Sequence, residues 1–164
     1  MKSNQKGFTL VELLLVVIIV AIIAVIAIPN FIASRRAANE SSAISSLRSL
    51  HIANATFQST SSDGKFAISM MDLQNAGLID SILGNAETVS KSGYFYTYFS
   101  NTVGSSASVF DIGAEPASFT GLSATGTRSF VITEQGVIYY NLTQTAPLVD
   151  DTTRIVSGGT PLNN

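Results

Sequence analysis

The chain has 164 residues, room for one apolar segment and one small domain, and a formal net charge of −2 from nine basic and eleven acidic side chains. That balance leaves no basic footprint for nucleic acid. With no cysteine there is no disulfide framework, no thiol nucleophile and no cysteine-ligated zinc.

Residues Met1 to Gly7 carry Lys2 and Lys6 and no acid. An apolar run of roughly 21 residues follows from Phe8 to Ile28, the length of a helix that crosses a bilayer core. Its large apolar side chains favour insertion by roughly 5 to 10 kcal/mol. Glu12 is the one charged residue in the run. A carboxylate at mid-helix costs about 2.5–3.5 kcal/mol, and less near the end. Cutting the chain after Gly7 would put a new α-amino group on Phe8, one helical turn from Glu12. The two groups would then share one depth, each a partner for the other. The lysines stay on the cytoplasmic side by the positive-inside rule, which leaves the rest of the chain outside. An ordinary secretory signal has a shorter apolar region, about 7–15 residues, ending at a small-residue cleavage site. A plain single-pass anchor explains the length but neither Gly7-Phe8 nor Glu12.

The stretch Gly7-Phe8-Thr9-Leu10-Val11-Glu12, with its short basic leader and an aliphatic run ending in Ile28-Pro29, resembles the class III signal of type IV pilins and their pseudopilin relatives. The resemblance implies cleavage between Gly7 and Phe8 by a prepilin peptidase and N-methylation of Phe8. It implies a subunit that waits in the inner membrane, N-terminus cytoplasmic, and then joins a helical homopolymer at the cell surface, with Glu12 and Pro29 as assembly residues. Its partners would be further copies of itself, the peptidase, and an inner-membrane assembly platform with a separate ATPase. No Gly-x-x-x-x-Gly-Lys loop exists in this chain to bind ATP. The layout is then a leader over 1–7, a membrane or filament-core helix over 8–29, and an outer domain over 30–164.

Pro29 removes a backbone donor and crowds the preceding turn, so a kink or local unwinding is expected there. Beyond it, Phe31, Ile32, Ala37, Ala38, Ile44, Leu47, Leu50 and Ala55 recur at three- and four-residue steps among Arg35, Arg36, Glu40 and Arg48. The pattern predicts one long helix from Phe8 to about Ser59, roughly 80 Å in length. Ser59 to Gly64 breaks it. Ser69-Met-Met-Asp72 has the shape of a capping box opening a short helix to Asn75, and Asp80 to Leu83 reads as one more turn.

Strands are predicted at Tyr94–Phe99, Val109–Ile112, Arg128–Thr133 and Val137–Tyr140, the last two joined by Glu134-Gln135-Gly136 as a hairpin. The fold class is α+β: a long N-terminal helix packed, around Ile44, Leu47 and Leu50, on a four-stranded antiparallel sheet. The family resemblance implies the same layout. From Thr143 the chain is polar and reads as a loose tail with a short strand near Arg154–Val156. Many pilins close this region with a disulfide. Without cysteine, other contacts hold it or it is loose.

Little here points to chemistry. His51 has no cysteine or second histidine beside which to bind metal or activate a nucleophile, and no Gly-x-Ser-x-Gly elbow occurs. Asp150 and Asp151, with Asp111 and Glu115, are either oxygen ligands for Ca²⁺ or a solvated acidic loop. The aromatic residues read as packing material and not as an electron path. No catalytic site, cofactor or obligatory metal is expected. The absence of tryptophan departs from the C-terminal segment usual in major pseudopilins and tilts the reading toward an extended fibre. A periplasmic pseudopilus for protein secretion is the first rival. A membrane-tethered enzyme or binding domain, which needs a pocket of convergent polar groups, is the second.

Overall fold

The computed structural model describes residues 7–103 and 107–162; Lys2 and Lys6, expected to belong to a leader, lie outside them. The chain falls into two compact units, residues 1–35 and 36–164. Helix α1 (Leu10–Thr60) contributes to both.

In the first unit α1 carries the apolar run. Its 18-residue window of greatest hydropathy averages 3.4, and none of it is buried. The backbone stays helical through Pro29, so the local unwinding expected there does not occur. Asn30 Nδ2 donates to the Ile26 carbonyl at 3.2 Å.

The second unit holds the rest of α1, the short helices α2 (Met70–Asn75) and α3 (Ser81–Gly84), and the strands β1 (Tyr94–Val103), β2 (Ala107–Pro116), β3 (Ser129–Thr133), β4 (Ile138–Asn141), β5 (Leu148–Val149), β6 (Val156–Ser157) and β7 (Thr160–Pro161). Both short helices start on side-chain caps: Ser69 accepts from Asp72 N, and Asp80 from Leu83 N. The strands form an antiparallel sheet in the order β1-β2-β3-β4-β7, and β5 and β6 pair as a separate hairpin. The four expected strands are therefore neighbours in chain order. A fifth, β7, pairs Tyr139 with Pro161 and Tyr140 with Thr160. Two residues, one a proline, carry no strand signal in the sequence, and proline is tolerated here because β7 lies at the sheet edge.

Strand alternation sends Tyr94, Tyr96 and Tyr98 of β1, Phe110, Ile112 and Ala114 of β2, Phe130 and Ile132 of β3 and Ile138 of β4 into one core with Ala43, Leu47, Leu50 and Ala53 of α1. Ile44 borders that core half-buried. Ala37, Ala38 and Ala55, expected on the stripe, are exposed. Once Leu47 and Leu50 face the sheet, the 3.6-residue period brings Asn54 inward and leaves Ala55 outside. Buried Asn54 finds partners: its Nδ2 donates to Leu50 O, and its Oδ1 lies 2.7 Å from the Tyr98 hydroxyl. Phe110 packs edge-on to Phe66 at 4.8 Å and stacks with Tyr98 at 6.1 Å, so these rings serve the core.

The tail is not loose. It crosses the sheet face opposite α1, and β3 is buried at every position as a result. Ala146 sits against Gly113, where a Cβ would come within 3.3 Å of the alanine methyl. Ser129 Oγ donates to Thr143 O and Gln144 O, and Glu115 accepts from Ala146 N. Arg154 holds the hairpin: its guanidinium reaches Glu134 at 2.7 Å, Asp111 at 3.2 Å and the Phe110 carbonyl at 2.9 Å, with its side chain only 9% exposed. Arg154 adopts φ +59, a left-handed conformation that costs a non-glycine residue about 1–2 kcal/mol. These charge-assisted bonds offset that strain.

Near its start in this unit, α1 is tied to the loop before β3. Arg36 donates to Gly121 O and Ala124 O, and Asn39 to Thr125 O. Buried Glu40 accepts from the Thr127 amide and hydroxyl and pairs with Arg128 at 2.8 Å. Burial pushes the Glu40 carboxyl up, but the Thr127 bonds and Arg128 outweigh it and hold it below the usual 4.5. A depressed carboxylate adds stability above its unfolded pKa and loses it as pH falls through the folded one. The melting-temperature gap between wild type and Glu40→Gln should thus be wide at pH 7 and shrink below pH about 4.5. A gap that stays constant down to pH 3 would refute the ionised-carboxylate role.

Candidate processing and assembly site

The N-terminal site is built by the start of α1. Thr9 stands immediately before the helix, and its carbonyl accepts from Leu13 N. Its hydroxyl accepts from Glu12 N at 3.3 Å, and Glu12 Oε2 accepts from Thr9 N at 3.0 Å and from Thr9 Oγ1 at 2.6 Å. This is a capping box, Thr-x-x-Glu, in which each residue satisfies a donor left over at the helix start. Glu12 is therefore not the isolated carboxylate that its apolar neighbours suggest. Both side-chain bonds fall on Oε2, and among the described residues Oε1 accepts none.

Thr9 is a functional residue that the apolar run conceals. Thr9-x-x-Glu12 has the same capping-box shape as Ser69-x-x-Asp72, and that spacing is its signal in the sequence.

Gly7 precedes this box, exposed, with nothing within 4 Å of where a Cβ would stand and no left-handed backbone. Nothing in the packing of the described residues requires a glycine there. Phe8 is also exposed. Gly7, Phe8, Thr9 and Glu12 thus form one accessible cluster. Pro29 lies far along α1 and shares no contact with it.

Of the other candidates, Asp151 is exposed, and the rest are occupied elsewhere. His51 Nε2 lies 3.1 Å from Glu134 O, and its ring packs at 5.9 Å from Phe110. Asp111 is engaged by Arg154, and its carboxyl is pushed up by burial against the pull of that guanidinium. Glu115 holds Ala146 N, and Asp150 accepts from Thr152 N, Thr153 N and Thr153 Oγ1. Among the described residues no three such groups are gathered for a metal ion. Lys91 Nζ donates to Ser46 Oγ at 2.6 Å, but Ser46 is buried. One groove beside Lys65, Phe66 and Ser100 measures about 260 Å³, and another beside Phe99, Val131 and Ala146 about 250 Å³. Both fall below the usual size of a small-molecule site, about 300–1,000 Å³.

Residues 2–28 match the family model described as the prokaryotic N-terminal methylation motif, a class III signal typical of type IV pilins and pseudopilins. The match covers the residues just before α1 and the apolar part of that helix. No curated protein and no solved structure matches the chain.

Proposed function

We propose that the chain is the precursor of a filament subunit: a single-pass inner-membrane protein cleaved after Gly7, N-methylated on Phe8 and polymerised through the apolar part of α1 into a type IV pilus-like fibre. The observation that carries this reading is the capping box at the mouth of an unburied apolar helix. Thr9 holds Glu12 by Oε2 and leaves Oε1 open, four residues along the chain from the amine that cleavage would create. An incoming subunit's Phe8 ammonium fits that oxygen and would fix axial register. Exchange of lipid for protein neighbours supplies little hydrophobic drive, so packing and this polar pairing would set specificity. Pro29 would act in the same helix core. The peptidase, the assembly platform and its ATPase would be the partners.

The test is the N-terminus of assembled material. Mass spectrometry should find a chain that begins at methylated Phe8. Gly7→Val should fold normally, because a Cβ at this position meets none of the described residues, yet remain as the longer, unassembled membrane form. Fibres whose subunits begin at Met1 or Lys2 would overturn the proposal, and shearing long fibres of this chain from intact cells would separate it from a periplasmic pseudopilus.

A further inference from the structure

We propose that Phe31 and Arg35 form a lipid anchor, in which the Arg35 guanidinium binds the phosphate of an outer-leaflet phospholipid. The inference rests on the membrane-spanning reading above and goes beyond it. Two consecutive arginines follow the apolar run, and the structure treats them differently. Arg36 donates to two carbonyls, Gly121 O at 2.6 Å and Ala124 O at 3.2 Å. Arg35 is exposed and has no hydrogen-bond or ion-pair partner among the described residues. Phe31, one turn earlier on the same helix face, is 69% exposed. Arginine lays its apolar stem along apolar surface and carries its charge out to the headgroups, and the exposed Phe31 ring supplies such surface beside Arg35.

The depth agrees. Arg35 lies seven positions beyond Ile28, the last of the apolar run, about 10 Å along a helix. Helical side chains lean toward the N-terminus, and a long arginine follows the helix back with its charge at the headgroups. The polar layer outside the hydrocarbon is roughly 5–8 Å deep on each side. The guanidinium thus reaches phosphate level, where its fork matches two phosphate oxygens, while Phe31 sits at the edge of the hydrocarbon. The anchor also bears on Glu12. Arg35 lies about 35 Å from Glu12 along the helix, more than the thickness of the hydrocarbon core. With Arg35 about 10 Å beyond the outer edge of the core, Glu12 lies about 25 Å below that edge, within about one helical turn of the inner edge, where a carboxylate costs less than at the bilayer centre. Leaving the bilayer for a filament then requires the phosphate to be given up.

The experiment uses the full chain, with arginine labelled by ¹³C at the guanidinium carbon, in vesicles of phosphatidylcholine and phosphatidylglycerol in phosphate-free buffer. Lipid is then the only phosphorus present. Insertion is scored separately by resistance to an alkaline wash. Carbon–phosphorus dipolar dephasing is expected in the wild type and in Arg36→Lys, and should be lost in Arg35→Lys, which has no guanidinium there. An inserted chain with no dephasing, or with dephasing that survives Arg35→Lys, would overturn the anchor alone. A chain removed by the wash would overturn the membrane reading and the anchor with it.

Discussion

Leu47→Asp is expected to leave residues 36–164 without a cooperative fold at 25 °C. Leu47 is fully buried at the centre of the α1–sheet contact, in one cluster with Leu50, Tyr96, Ile112 and Phe130. Losing the leucine side chain alone costs about 2–5 kcal/mol. The new carboxyl group adds the cost of an unpaired buried polar group, several kcal/mol even if it takes up a proton. Small domains have about 5–15 kcal/mol in total, so the sum approaches or exceeds what is available. Ile52→Asp is the control. It lies five residues along the same helix but is largely exposed, and should change stability by no more than about 0.5 kcal/mol. Thermal melts of the full chain in detergent, followed by near-ultraviolet circular dichroism of the tyrosines, distinguish the two. A cooperative transition in Leu47→Asp within a few degrees of wild type would contradict the packing described.

Glu12→Ala is expected to abolish filaments while leaving the subunit in the membrane. Insertion should be unchanged or better, since the substitution removes a carboxylate worth up to about 2.5–3.5 kcal/mol of insertion cost. The melting temperature of residues 36–164 should not move, because Glu12 belongs to the other unit. Sheared filament yield should fall to background, because the incoming Phe8 amine meets no carboxylate. Thr9→Val separates charge from positioning. It keeps the carboxylate but removes the 2.6 Å hydroxyl bond and the cap, a loss of about 0.5–2 kcal/mol of helix-start stability. Its filament yield should be reduced and not abolished. Comparing subunit in the inner membrane with subunit in sheared filaments, for both variants, reads the effect directly. Normal yield from Glu12→Ala with cleavage complete would show that the charge pairing is dispensable.

What could be read from the sequence depended on distance along the chain. The tyrosine alternation of β1, the leucines of α1 and the Ser69 cap are local patterns with a period or a fixed offset, and the structure places them as the patterns say. Phe130-Val131-Ile132, a continuous apolar run, already hints at a strand covered on both faces, but nothing said what the cover was. That cover is a polar tail held by Ser129 and Glu115 and, farther along, by Arg154, which reaches back 43 residues to Asp111 and 20 to Glu134. No periodicity announces such a contact, and no composition predicts an arginine at positive φ. At the N-terminal site the failure was of a different kind. Thr9-x-x-Glu12 is local and regular, but a single charge in an apolar run draws the eye to membrane cost and away from helix capping.

The Arg154 closure has a consequence for where and how the domain is made. Loops that sulfur closes wait for an oxidant and reopen under reductant. Here a guanidinium, two carboxylates and a carbonyl complete the fold as soon as the chain brings them together. The domain reaches the same closed state in a reducing or an oxidising compartment, and dithiothreitol has no bond to break.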